Sequence, residues 1–193
     1  MNILSYIEKI HSSIVAAAHP LAPDPAQFKP TSVMALFLFS REPSLLFIQK
    51  ADREGYAWRN QMAFPGGHVE KTDASARQAA FRELYEETGI MSDNVQYIGS
   101  LGHFQTVKNR DLQAFTGIWN QKDEIVFETQ EISRVLEIPF ETLRQTHLEK
   151  GFAGRNPRPG IKELTYPYKD VVVWGVTAQI VHHLIEVIGD ISR

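Results

Sequence analysis

Cysteine is absent from the 193-residue chain, which removes disulfides, thiolate metal sites and cysteine nucleophiles from consideration. No apolar run reaches membrane-spanning length, so no membrane partner is expected. Positive charge is not in excess either: 20 Lys and Arg against 23 Asp and Glu give a formal net charge of −3. Without a basic stripe, no nucleic-acid partner is expected. A small anionic substrate is compatible with that balance only where local cations or a metal offset its charge. Internal repeats and low-complexity tracts are missing as well. Residues 1–18 lack the basic start of a signal peptide, and Glu8, Lys9 and His11 interrupt their apolar stretch. A cytoplasmic location is the expectation from these absences.

What remains is enough for one domain with a decoration, since 43% of the residues are hydrophobic and an ordinary core needs about that share. Ile3, Ile7, Ile10 and Ile14 recur at helical spacing, predicting an amphipathic helix packed on the domain. Pro20, Pro23, Pro25 and Pro30 then make residues 19–30 a connector, because proline removes backbone donors and disfavours helix. The chain divides accordingly into a helix and Pro-rich connector over 1–30 and a main domain over 31–193. Residues 33–39 and 45–49 are apolar runs separated by Arg41-Glu42-Pro43-Ser44, the pattern of a hairpin. Residues 62–65 lead into Gly66-Gly67, read as a turn. Residues 73–88 read as a helix with Asp73 as cap and Gly89 as stop. Two strands are predicted over 94–106 and 112–119, joined around Lys108-Asn109-Arg110-Asp111. Residues 129–135 read as a short helix, 136–138 as an apolar run ended by Pro139, 140–148 as a helix and 151–160 as an exposed loop. Residues 171–174 are β-like, and 177–188 carry a helical apolar period. Several strands and few helices imply an α+β domain, a sheet covered by helices on its faces.

The chemistry concentrates in Arg82-Glu83-Leu84-Tyr85-Glu86-Glu87-Thr88-Gly89-Ile90. On a helix, positions i, i+3 and i+4 share a face, so Glu83, Glu86 and Glu87 project together within an arc of about 100°. Like charges at this spacing cost roughly a few tenths of a kcal/mol per pair, and the C-terminal end of the helix dipole adds to the repulsion. A compensating cation is implied. Carboxylate oxygens are hard ligands that select Mg²⁺, Mn²⁺ or Ca²⁺ over zinc, and Mg²⁺ habitually bridges protein carboxylates to substrate phosphates. Arg82, four residues before Glu86, is placed to orient it. Ala76, Ala79 and Ala80 in the preceding turns are read as keeping that face low, so that a diphosphate can approach.

Arg-Glu-Leu-x-Glu-Glu-x-Gly-Ile behind a Gly-Gly turn resembles the Nudix box. The resemblance implies an α/β/α sandwich with a mixed sheet, here with an added N-terminal helix. It also implies hydrolysis of a nucleoside diphosphate derivative with Mg²⁺ or Mn²⁺ as cofactor. Glu83, Glu86 and Glu87 match the metal-ligand glutamates of the box, Arg82 the arginine that orients them, and Gly67 its opening glycine. Eight residues separate Asp73 from Arg82 where the common box has seven. With that insertion, Phe64-Pro65-Gly66-Gly67 followed by Glu70, Asp73 and Ser75 is similar to the coenzyme A pyrophosphatase subfamily. Tyr166-Pro167 and Val173-Trp174-Gly175-Val176-Thr177-Ala178 resemble that subfamily's closing segment. Upstream the pattern departs: Ala51-Asp52 and Trp58 stand where the subfamily has an Arg-Ser pair and a His, while Gln61 and the spacing remain.

The general base has two sources. Glu86 on the helix is one; the other is a later-loop carboxylate, Glu131 rather than Glu128, because Glu131-Ile132 before Ile138-Pro139 resembles a family segment. Arg53 and Arg59, ahead of the Gly66-Gly67 turn, could meet phosphates, as could Arg155 and Arg158 further on, although all four also suit solvated loops. Tyr56, Trp58 and Phe104 could stack on an adenine, though aromatics are more often core. His68 is read as structural or exposed and His182-His183 as an exposed helix pair, leaving zinc little support. The substrates implied are coenzyme A or acyl-CoA, with ADP-ribose, a dinucleotide or a nucleotide sugar as rivals. A non-catalytic nucleotide-binding module is the reading from another class. A homodimer is allowed by the sequence and not specified by it.

Overall fold

A computed structural model describes residues 3–55 and 58–189. In chain order the elements are α1 (Ile3–Ala16), β1 (Lys29–Phe39), β2 (Pro43–Lys50), β3 (Met62–Ala63), β4 (Gly66–His68), α2 (Ala76–Thr88), β5 (Val95–Gln105), β6 (Arg110–Trp119), β7 (Ile132–Pro139), α3 (Phe140–Glu149), β8 (Thr165–Tyr168), β9 (Val171–Trp174) and α4 (Gly175–Ile188). Strands β1 to β7 form one mixed sheet, in which β1 and β6 run parallel and the other neighbours antiparallel. Strands β8 and β9 pair separately as a small hairpin.

Both faces of the sheet are covered, which is why β1 reads as an unbroken apolar run rather than an alternation. Its odd residues Val33, Ala35 and Phe37 join Leu45 and Phe47 of β2 in a core completed by α1, α3 and α4. Its even residues Met34, Leu36 and Leu38 join Leu46, Phe115 and the α2 residues Ala80 and Leu84 on the opposite face. The result is the expected α/β/α sandwich with an N-terminal helix. Among the described residues no helix is long and apolar enough to cross a membrane.

The hairpin of β1 and β2 is paired only at its closed end, Phe37–Phe39 against Leu45–Pro43. Beyond it the strands part, and residues 61–68 enter the gap. Lys50 N–H donates to Gln61 O and Met34 N–H to Pro65 O, both at 2.9 Å. Gly66 and Gly67 pair with Val33 and Ser32 of β1. The Gly-Gly segment is therefore a short strand in the middle of the sheet, not a free turn. This wedge opens the sheet beside α2, and the functional site forms there.

Several elements differ from the sequence reading. The α2 helix is capped by Ser75, whose hydroxyl accepts from Gln78 N–H, and it starts at Ala76; Asp73 lies upstream, engaged with Arg82. Gly89 ends the helix in the left-handed conformation, as expected. Ala79 and Ala80 are fully buried, so they let α2 approach the sheet rather than a substrate approach α2. The predicted helix over 129–135 is instead a turn leading into β7, which pairs with β2 along Ser44–Gln49; tertiary pairing outweighs local preference here. Strand β8, with the fully buried Tyr166, was not expected as a strand, although Tyr166-Pro167 belongs to the segment that resembles the subfamily's close. His182 and His183 are buried, at 6% and 4% exposure, not an exposed pair.

The N-terminal segment is docked. Ile10 and Ile14 are fully buried and Ile7 packs beside them, whereas Ile3 is exposed, so only the later part of the apolar stripe meets the domain. Next, His19 Nε2 lies 2.9 Å from Ile14 O and its Nδ1 lies 2.9 Å from His183 Nε2. A carbonyl only accepts, so His19 donates through Nε2 and receives the His183 Nε2–H at Nδ1. Burial pushes His183 down to about 4, consistent with that neutral role.

Candidate active site

The site is built around Arg82. Its guanidinium holds Asp73 in a two-pronged contact, Nε to Oδ1 at 3.1 Å and Nη2 to Oδ2 at 3.0 Å. Nη2 also donates to His68 O at 3.0 Å, and Nη1 donates to Glu83 Oε1 at 3.0 Å and Glu86 Oε2 at 2.9 Å. One planar group thus ties the loop ahead of α2, strand β4 and two of the three helix carboxylates in a fixed frame, which a lysine could not do.

Glu83 and Glu87 face β4. Glu83 is so close to Gly67 that a Cβ there would lie 2.4 Å from its carboxylate. Glu87 is 7% exposed; its Oε2 accepts Gly66 N–H at 2.8 Å and its Oε1 pairs with the ammonium of Lys50 at the end of β2. Burial pushes the Glu87 carboxyl upward against the opposing effects of Lys50 and Gly66 N–H, and the charge of Glu131 adds to the rise. Burial likewise raises Glu83, against Arg82 and in the same direction as Glu87 and Glu86. These half-desolvated, mutually repelling oxygens are short of positive charge, and an all-oxygen donor set suits a hard divalent ion. Glu86 is more open, with 54% of its side chain exposed.

A cavity of about 550 Å³ opens over this end of α2. Glu83, Glu87, Glu131, Lys50, Gly66 and Gly67 line its floor, with Gln61 and Phe64 from the inserted wedge. Val107, Ile161, Trp174, Val176 and Ile180 give it an apolar wall, brought in by the β5–β6 turn, the late loop and the start of α4. At the rim, Lys108 Nζ and Arg110 Cζ each stand 5.4 Å from the centre of the Trp58 ring. Arg110 also contacts His68 Nε2. His68 is held below the usual histidine range by burial, then by Arg110 and Lys29, so its ring accepts from Arg110.

The structure thus brings Glu83, Glu87, Glu131, Gly66 and Gly67 to one cavity, and Arg82 and Glu86 adjoin it. Arg53 and Arg59 do not line it: Arg59 pairs with Asp52, and Arg53 reaches the Gln130 carbonyl at 3.5 Å. The lining cations are Lys50, Lys108, Arg110 and Lys162 instead. Phe104 is buried against His183 in the core, and Arg155 pairs with Glu163. Tyr56 lies outside the described residues. Lys50 carried no sequence signal beyond ending an apolar strand. Lys108 and Arg110 were legible only as a hairpin turn, because its place beside the Gly-Gly segment comes from the parallel pairing of β1 with β6.

Residues 29–156 match the family model of the NUDIX domain. The chain belongs to the Nudix hydrolase family. A protein named "Uncharacterized Nudix hydrolase NudL" from Pectobacterium atrosepticum is 30% identical over 166 residues, covering 85% of each chain. A protein of the same name from Enterobacter sp. is 32% identical over 149 residues, 77% of each. Among solved structures, a MutT/nudix family protein from Enterococcus faecalis superposes with a TM-score of 0.54 at 15% identity, covering 96% of this chain and 68% of that one. A Deinococcus radiodurans protein superposes with a TM-score of 0.55 at 16% identity, covering 85% and 89%; at such identities these two speak to the fold alone. Nudix hydrolases cleave pyrophosphate linkages in small nucleotide derivatives and generally use divalent ions such as Mg²⁺ or Mn²⁺.

Proposed function

We propose that this Nudix hydrolase cleaves the diphosphate of coenzyme A or acyl-CoA, releasing adenosine 3′,5′-bisphosphate and a phosphopantetheine. One observation carries the reading: a single cavity joins buried carboxylates, an apolar wall and a separate cationic rim flanking an exposed tryptophan. Coenzyme A has the matching parts in one molecule, namely a diphosphate, a pantetheine arm, an adenine and a second phosphate remote from the first. Trp58 would stack on the base, Lys108 and Arg110 would meet the remote phosphate, and the wall from Val107 to Ile180 would take the arm.

In this reading Glu83 and Glu87 are the primary ligands of Mg²⁺ or Mn²⁺, with Glu86 a further or water-mediated ligand. The ion would offset phosphoryl charge and polarise the bridging linkage. Arg82 holds the carboxylates at the required orientation. Gly67 leaves room for Glu83, and the Gly66 N–H fixes the Glu87 rotamer. Lys50, at the cavity floor beside Glu87, is placed to hold a phosphate oxygen. Glu131 is the better-placed general base, because it lines the cavity and its charge reaches Glu87, whereas Glu86 is engaged by Arg82 outside the lining. Glu131 would take the proton of the attacking water as the P–O bond forms and the bridging P–O bond breaks.

The upstream departure at Ala51-Asp52 and Trp58 favours a second reading, a pyrophosphatase of ADP-ribose, a dinucleotide or a nucleotide sugar. Retention of Glu83, Glu86 and Glu87 argues against a binding module without catalysis. Incubation with coenzyme A, ADP-ribose and NADH in Mg²⁺, followed by mass spectrometry of the products, tests all three. The proposal expects the highest kcat/KM on coenzyme A or an acyl derivative. Preference for ADP-ribose or NADH would transfer the assignment to the rival, and tight binding without turnover would transfer it to the binding module.

A further inference from the structure

A second cluster of donors lies away from the catalytic cavity, under α3 and α4. His147 on α3 is completely buried. His182 and Glu186 stand four residues apart on α4, hence on one face of that helix. One donor atom from each of the three residues lies within 4.8 Å of the other two. None of the three lines the catalytic cavity.

The three are held to different degrees. His147 Nε2 lies 2.8 Å from Glu186 Oε1, and its Nδ1 lies 3.0 Å from the hydroxyl of the fully buried Tyr166. Gly154 N–H lies 3.2 and 3.1 Å from the two oxygens of Glu186, fixing that carboxylate. His182 is different. Its Nδ1 is buried and has no hydrogen-bond partner among the described residues, although its ring sits 4.9 Å from that of His147. Buried polar atoms are almost always satisfied, so an unengaged imidazole nitrogen beside a second imidazole and a carboxylate is a donor free to take a ligand.

We propose that His147, His182 and Glu186 form a metal site for a borderline divalent ion of the Zn²⁺ type, distinct from the carboxylate site on α2. Two imidazoles and one carboxylate are a zinc donor set rather than a magnesium one. Glu186 keeps 34% of its side chain exposed, which gives the ion an entry path and leaves a fourth position for water or a further ligand. Ligation requires the three donors to draw together around the ion, with His147 Nε2 and Glu186 Oε1 moving slightly apart. The ring proton of His147 then passes from Nε2 to Nδ1, where the Tyr166 oxygen accepts it, the outer-sphere hydrogen bond that a zinc-bound histidine habitually makes. Such an ion would clamp α3, α4 and the loop that begins at Gly151. Its role would be to rigidify the helical layer behind the cavity, not to enter the hydrolysis.

The test uses the full chain without a polyhistidine tag, stripped with a chelator and returned to saturating Mg²⁺ so that the α2 carboxylates are already occupied. Zn²⁺ is then titrated by calorimetry, and Co²⁺ by visible absorption. The proposal expects one Zn²⁺ per chain, a Tm that rises with Zn²⁺, and the intense absorption of four-coordinate Co²⁺. His182→Gln and Glu186→Gln should each weaken Zn²⁺ binding by at least about tenfold while leaving the Mg²⁺-dependent turnover unchanged. Zn²⁺ binding of equal strength in both variants would overturn the assignment, as would absence of Zn²⁺ binding by the wild-type chain. Glu186→Gln, at the exposed end of the cluster, keeps the test decisive if His182→Gln fails to fold.

Discussion

At the residue scale, the functional consequences follow from how few atoms separate the backbone from the acids. Gly67 is the clearest case, since any side chain there meets the Glu83 carboxylate. Gly67→Ala is expected to displace Glu83 and lower kcat by about 100-fold, with a far smaller change in Tm, checked by steady-state kinetics beside thermal unfolding. Arg82→Lys is expected to cost roughly 10–100-fold in metal-dependent turnover, because lysine cannot hold Asp73, Glu83, Glu86 and the His68 carbonyl at once. Mg²⁺ titration of activity should then show weaker apparent metal binding. Glu87→Gln is expected to abolish metal-dependent turnover while preserving the circular dichroism spectrum, although leaving the Lys50 ammonium without its buried partner should lower Tm. Near-normal turnover of that variant would contradict the role proposed for Glu87.

At the element scale, the acids were legible because helix spacing alone fixes which side chains share a face. Glu83, Glu86 and Glu87 needed no tertiary information. The cations were not legible, because Lys50, Lys108 and Arg110 reach the cavity only through the parting of β1 from β2 and the position of the β5–β6 turn. Arg53 and Arg59 sat nearer in sequence and were the natural choices, yet a few residues of chain carry them to other partners. His182-His183 departs from the sequence expectation for a related reason: a polar pair in an apolar helix looks like a solvent face until α1, α3 and the connector close over it. The short helix expected over 129–135 gave way to β7, since β2 offered it a full edge to pair with. These placements make the β5–β6 turn a candidate specificity element. Arg110→Ala is expected to raise KM for coenzyme A with little change in kcat and to affect dephospho-coenzyme A less, whereas Trp58→Ala is expected to raise KM for both alike, in a side-by-side comparison of the two substrates.

At the scale of the whole molecule, α1 is part of the core rather than an appendage. Ile14→Ala is expected to cost about 2–5 kcal/mol, lowering Tm by roughly 2–4 °C for each kcal/mol, with the ratio of activities on different substrates unchanged. The connector that follows α1 has a further consequence. Strand β5 ends the order of paired strands, and the Pro20 carbonyl accepts the N–H of His103 from it at 3.0 Å. The approach there is so close that a Cβ on Gly102 would stand 2.5 Å from the same oxygen. A proline laid along a bare strand border blocks the docking of a foreign strand. A chain trimmed of its first 28 residues loses this guard together with the core cover of Ile10 and Ile14, and should therefore self-associate through an unguarded margin and uncovered apolar surface, growth that light scattering after size-exclusion chromatography would register.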